Sequence, residues 1–371
     1  MVYRIPVYQP SLRGKERDYV VQCLESTWIS SKGEFIPKFE NAFAEFTGVR
    51  HATGVTNGTT ALHLALLALG IGPGDEVIVP TFTYVASVNT ITYTGAKPVF
   101  VDSTMDTWQM DPEDVGRKIT SQTRAIMAVH LYGHPCDMEA LTAIARMKGL
   151  FLIEDCAEAF GSMYNGRHVG TFGDVAAFSF FGNKTITTGE GGMVVTNDDT
   201  LHYRAVHFKG QGLARDREYW HDVIGYNYRM TNICAAIGLA QLERAKEILD
   251  AKRRIAAVYN EKLADLPLVP QYERGNVLHS YWMYSVLAED SKSRDSLRNH
   301  LAVAGVETRP TFYPVHTMPM YASKFDRHPV AEALGWRGIN LPSWPDLSEE
   351  YLEYIVHEIR DYYGKLSAST P

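Results

Sequence analysis

The chain has 371 residues, 45% hydrophobic and 21% charged, with a formal net charge of −7. That length suits one large domain plus a smaller one with a sizeable core, and the negative balance leaves no electrostatic footprint for nucleic acid or an anionic membrane. Its four cysteines, Cys23, Cys136, Cys156 and Cys234, are widely spaced with no C-x-x-C, which argues against a disulfide framework and a structural zinc site.

The first segment, MVYRIPVYQPSLRGKERDYV, lacks a secretory apolar run, and no later stretch offers about 18 uninterrupted apolar residues. The expectation is a cytoplasmic protein without membrane spans. VTNGTTALHLALLALG at 55–70 reads as a loop opening into an apolar helix. Short apolar runs then alternate with helical stretches: EVIVP at 76–80, KPVFVD at 97–102, RAIMAVHLYG at 124–133, LFLIEDCA at 150–157, VAAFSFF at 175–181 and GMVVTN at 192–197. Such alternation predicts a mainly parallel sheet with helices on its faces. DMEALTAIARMKG is an amphipathic crossover helix with Asp137 as N-cap and Gly149 as C-cap. His130, His134 and Cys136 lie close together but match no metal-ligand spacing, so no metal is expected. After a helix at 230–250 come a strand at 279–290, a helix at 292–304 and a last helix at 348–363, with a fraying Ser/Thr tail at 367–371. The domain reading is a large α/β domain over 1–250 and a small C-terminal α+β domain over 251–371.

In open α/β sheets, ligands bind beyond the carboxyl ends of the strands, so the residues ending each run matter. FSFFGNKTITTGEGG at 178–192 follows its apolar run with Lys184. A P-loop is excluded, because Asn183 and Phe178 occupy the positions its glycines need. Two readings remain: a lysine on a loop in solvent, or a desolvated lysine of lowered pKa that forms a Schiff base. Asp102 and Asp155 end two other runs and, taken singly, read as loop charges or caps. Lys184 and Asp155 on neighbouring strand ends suit a cofactor with a carbonyl to condense and a basic ring nitrogen to ionise, and pyridoxal phosphate has both. Asn57-Gly58-Thr59-Thr60 at a helix start would seat its phosphate, or form a plain N-cap. The glycines after Lys184 would let the backbone pass close beside the cofactor.

FSFFGNKTITTGEGG, IEDCAEAFGS, NGTTALHLAL, PTFTYVASVN and GYNYRMTNICAAIGLAQL resemble the DegT/DnrJ/EryC/StrS family of pyridoxal-phosphate-dependent nucleotide-sugar aminotransferases. The likeness runs from PVYQPSLRGKE to GINLPSWPDLS. It implies the aspartate-aminotransferase-like type I fold and a homodimer with shared active sites. It implies that Lys184 is the Schiff-base lysine, Asp155 pairs with the pyridine nitrogen, and Tyr84 stacks on the ring. Gly58, Thr59 and Ser179 would bind the phosphate, Asn227 would reach the partner's phosphate, and Tyr313 and His316 would meet the sugar. Arg229 and Arg309 are candidates for the carboxylate of L-glutamate, each equally able to form a structural ion pair. STWISSKGEF, HLYGHPCDMEAL and RPTFYPVHTMPMY look most like members acting on GDP-4-keto-6-deoxymannose for surface polysaccharide. A UDP- or dTDP-linked keto sugar is the alternative, and a non-catalytic cofactor-binding regulator the rival of another class. Dehydrating relatives carry His where Lys184 stands, so Lys184 favours transamination. One departure stands out: Glu158 occupies a position where many members place Gln or His against the cofactor's phenolic oxygen, and a carboxylate there repels a phenolate unless a proton is shared or a cation lies near.

Overall fold

A computed structural model describes residues 3–369. Its central sheet has seven strands in the order β1-β9-β8-β5-β4-β2-β3. These are β1 His51–Val55, β2 Glu76–Pro80, β3 Lys97–Val101, β4 Thr123–Val129, β5 Phe151–Asp155, β8 Val175–Ser179 and β9 Gly192–Thr196, with the short β6 Met163–Tyr164 and β7 Arg167–His168 intervening in sequence. β3, β2, β4, β5 and β8 pair in parallel, whereas β9 runs antiparallel to both β8 and β1. The pleat divides each buried strand between two cores. Val77 and Val79 of β2 and Met127 of β4 face the helix Gly58–Leu69, while Ile78, Ile126 and Ala128 face the helix Met138–Lys148. A crossover capped as the sequence suggests supplies the second layer: Asp137 accepts the Ala140 N–H at 3.1 Å, and Gly149 closes the helix at φ 65°.

A second, antiparallel sheet follows the order β10-β12-β14-β13, made of β10 Val269–Pro270, β12 Tyr284–Leu287, β13 Arg309–Pro310 and β14 Gly338–Leu341. β11 Val277–Leu278 pairs instead with β6, tying this part of the chain to the first. The expected helix at 230–250 is two helices, Asn232–Glu243 and Ala245–Lys262, broken at Arg244. Residue 250 therefore falls inside a helix, and Ile5 joins the core of the second sheet by pairing with Val306. The strand expected at 279–290 shrinks to β12, because Tyr281 turns the chain at φ 49°. The last helix, Glu349–Ser369, continues into the tail expected to fray, whose final two residues lie outside the described ones. No described helix is long and apolar enough to cross a membrane.

Candidate active site

A cavity of about 490 Å³ opens at the carboxyl ends of β5 and β8, walled by the start of the helix Gly58–Leu69 and by residues of the second sheet. Eight of the residues singled out from sequence line it: Gly58, Thr59, Tyr84, Asp155, Glu158, Ser179, Lys184 and Arg309. The parallel register explains the meeting, since Asp155 lies level with Ala177, two residues before Ser179 ends the neighbouring strand.

Lys184 is gripped along its backbone and confined at its head. The Tyr8 hydroxyl donates to the Lys184 carbonyl at 2.6 Å, and the Trp282 indole N–H donates to the Asn183 carbonyl at 2.6 Å. Its Nζ lies 3.8 Å from the centroid of the Trp282 ring and 3.6 Å from Glu158 Oε1. Burial lowers the ammonium pKa, while the charges of Glu158 and Asp155 act to raise it. This is the confined, desolvated lysine rather than the lysine in solvent.

Asp155 is buried, which raises its pKa; hydrogen bonds and nearby positive charge oppose that shift. The Ser87 hydroxyl donates to its Oδ2 at 2.7 Å and the Ala157 N–H to its Oδ1 at 3.0 Å, which fixes the carboxylate's plane. Behind it, His130 spends both nitrogens within the protein, one facing Glu154 at 3.1 Å and the other accepting the Cys136 N–H at 3.0 Å. Burial pushes Glu158 up to about 7, opposed by the Lys184 charge and by the Tyr132 N–H, which its Oε2 accepts at 2.9 Å. The cation that the Glu158 departure calls for is thus Lys184 itself.

The anion seat is a helix start held against a strand end. Asn57 and Thr60 form a reciprocal capping box, with Thr60 N–H to Asn57 Oδ1 at 2.9 Å and Asn57 N–H to Thr60 Oγ1 at 3.2 Å. Gly58 and Thr59 occupy the first turn, where amides lack acceptors inside the helix. A Cβ on residue 58 would come within 2.6 Å of Ser179 Cβ, so only glycine brings the helix start this close to Ser179. Lysine, ring-nitrogen carboxylate and anion seat together fit pyridoxal phosphate. The glycines after Lys184 have a different use: a Cβ on residue 192 would meet the Asn57 carbonyl oxygen at 2.5 Å, so Gly192 packs chain against chain, and only Glu190 of that stretch lines the cavity.

Four expected site residues lie outside the cavity lining. His316 is buried at 3% exposure, its Nδ1 2.7 Å from Thr81 Oγ1, while its Nε2 lies 3.5 Å from Glu332 without a hydrogen bond. Tyr313 packs on Trp336, with ring centroids 4.8 Å apart. Arg229 donates to Asn227 Oδ1 at 3.1 and 3.2 Å, on an edge where Asn227 pairs with Gly210. Arg309 does line the cavity, 3.3 Å from Glu307. Ser87, Trp282 and Tyr8 were not singled out as site residues. Ser87 stands within a quoted motif, whereas Trp282 reads only as a strand residue and Tyr8 carries no local signal.

The pattern of the DegT/DnrJ/EryC1/StrS aminotransferase family matches residues 10–360. The GDP-perosamine synthase of Escherichia coli O157:H7 is 66% identical over 360 residues, covering 97% of this chain and 99% of that one. The GDP-perosamine synthase of Vibrio cholerae is 53% identical over 364 residues, with coverage of 97% and 99%. Among solved structures, the aminotransferase TlmJ from Streptoalloteichus hindustanus superimposes with a TM-score of 0.93 at 32% identity, covering 98% of this chain and 100% of that one. With Lys184, Asp155 and the capped glycine turn converging on one cavity, the chain belongs to the DegT/DnrJ/EryC1/StrS family of pyridoxal-phosphate-dependent sugar aminotransferases.

Proposed function

We propose that the chain transfers the amino group of L-glutamate to C4 of GDP-4-keto-6-deoxymannose, releasing 2-oxoglutarate and GDP-perosamine for a surface polysaccharide such as an O-antigen. The observation that carries this reading is the 66% identity, along nearly the whole of both chains, to a GDP-perosamine synthase. The cavity supports it, because a buried lysine faces a fixed carboxylate across a space open to a large substrate.

Pyridoxal phosphate, when bound, supplies an aldehyde that condenses with amines and a protonated ring that accepts the electron pair of a breaking C–H bond. Lys184 Nζ is the amine that anchors it. Once the donor's amine displaces it, Nζ takes the proton from the donor's α-carbon, and in the second half-reaction it delivers a proton to C4 of the sugar. Asp155, held in plane by Ser87 and Ala157, would pair with the ring nitrogen and favour its protonated form. The amides of Gly58 and Thr59 and the Ser179 hydroxyl receive the phosphate, and Tyr84 covers the ring. Arg309, exposed at the cavity wall, takes a carboxylate of glutamate.

The working unit is a homodimer. Tyr219, Trp220 and Ile224 are 92%, 50% and 88% exposed on the loop that precedes Asn227, an apolar surface that a second copy covers while Asn227 reaches the partner's phosphate. Ile224→Lys then gives a monomer in light scattering, with loss of activity.

The test is product formation from L-glutamate with GDP-4-keto-6-deoxymannose beside its dTDP and UDP counterparts. A GDP-linked 4-amino sugar and 2-oxoglutarate in equal yield are expected. Turnover only with another nucleotide keeps the chemistry and overturns the acceptor. Cofactor absorbance without turnover on any of them points to a regulator.

A further inference from the structure

Glu158 has no part in the steps above, yet it is the carboxylate facing the reacting nitrogen. Its Oε1 lies 3.6 Å from Lys184 Nζ, its Oε2 accepts the Tyr132 N–H at 2.9 Å, and its side chain is 5% exposed. The pair is faced by Asp155 from β5, by the indole of Trp282, by Tyr132 after β4, and by Arg309 across the cavity. An amine must be neutral to attack an aldehyde, so Lys184 has to lose a proton before it can hold the cofactor. Among the described residues, the carboxylate that pairs with Nζ is that of Glu158.

We propose that Glu158 is the proton partner of Lys184, taking a proton from Nζ to free the amine's lone pair and returning it when the lysine is released. The step balances: an N–H bond breaks, an O–H bond forms, and an ammonium–carboxylate pair becomes a neutral amine and a neutral acid. No net charge is created inside the cavity, which avoids the large cost of an isolated buried ion. Burial brings the two groups toward equal proton affinity, lowering the lysine and pushing the carboxyl up to about 7. A protonated Glu158 also donates to a phenolic oxygen instead of repelling it, which resolves the conflict that its carboxylate raises in the sequence.

The inference rests on Lys184 being the cofactor's lysine, but its test needs no turnover. Competitive acetylation of Lys184 in the full-length, cofactor-free protein, read by peptide mass spectrometry across pH 5 to 10, follows the titration of the amine itself. Glu158→Gln keeps an acceptor for the Tyr132 N–H and removes the charge. We expect the native profile to carry an extra inflection near 7. We expect the variant to lose that inflection and to titrate in a single step, whereas faster labelling at neutral pH would follow from removing any neighbouring carboxylate. A native profile with a single step, or a variant that keeps the inflection near 7, overturns the proposal. If Glu158→Gln does not fold, infrared difference spectra of the native protein decide. A carboxylic-acid band that disappears as pH crosses about 7, and that moves to higher pH in Lys184→Ala, supports the proposal, and a spectrum without such a band overturns it.

Discussion

Ser87 is a small residue with a large lever, because its hydroxyl fixes one oxygen of Asp155, the carboxylate proposed above to meet the ring nitrogen. Ser87→Ala leaves Asp155 with the Ala157 N–H alone, and a lost hydrogen bond to a charged group costs about 1.5–3 kcal/mol. We expect kcat/KM to fall by roughly 10- to 100-fold and cofactor affinity to weaken, with little change in melting temperature; unchanged kinetics would sink the role. Lys184→Ala should abolish product formation while circular dichroism stays native-like, because the loop remains held through its main-chain carbonyls by Tyr8 and Trp282. Lysine and aspartate were legible in the sequence because a charged residue ending an apolar run demands an explanation. Trp282 and Tyr8 were not, because each acts on a main-chain carbonyl more than 90 residues away, and no local spacing records that. His316 came from the resemblance alone, and in the fold its Nδ1 meets the Thr81 hydroxyl, a long-range partner that no local spacing records.

At the scale of elements, the chain's punctuation was readable where its meaning is local. Asp137 and Gly149 bound their helix as the sequence suggests, and the parallel strands announce themselves as apolar runs with turn residues at their ends. β1 escaped notice because Gly54 weakens its strand character, and its place depends on β9, some 140 residues later. The break at Arg244 escaped because both helices keep helical periodicity across it. Asn57→Ala removes the cap of the helix that offers its amides to the phosphate, so unfolding free energy should drop by about 1 kcal/mol, with a parallel loss of cofactor affinity. Gly192→Ala is the harsher change. Its Cβ would meet the carbonyl oxygens of Asn57 and Phe178 at 2.5 and 2.9 Å, backbone atoms that cannot swing aside, and denaturant unfolding should register a loss of roughly 2–4 kcal/mol. A loss no larger than that of Asn57→Ala would mean that β9 shifts freely.

Across the whole molecule, the helix Ala245–Lys262 joins the two sheets and carries a buried lysine through the junction. Lys252 is 1% exposed, donates to the Ser343 carbonyl at 2.6 Å, and burial lowers it from 10.5 to about 7. Between those two values the unfolded chain holds a proton that the folded chain has released, so stability is greatest at the alkaline end and is lost as pH falls toward about 7. Lys252→Met should therefore raise stability by roughly 1–3 kcal/mol at neutral pH, with the gain shrinking as pH approaches the ordinary lysine range. A gain independent of pH would assign the effect to packing alone. The grip on Lys184 has a further consequence for synthesis. Tyr8 and Trp282 reach the same loop from opposite sides of it in the sequence, 176 and 99 residues away from the carbonyls they bind. The strands of the central sheet lie within residues 51–196, so a nascent chain can assemble that sheet early and still present its lysine on a slack loop until residue 282 has left the ribosome. Cofactor capture then amounts to an inspection passed only by a molecule made past three quarters of its length, and a fragment stopped short of Trp282 would carry the lysine, the aspartate and the glycine turn and still fail it.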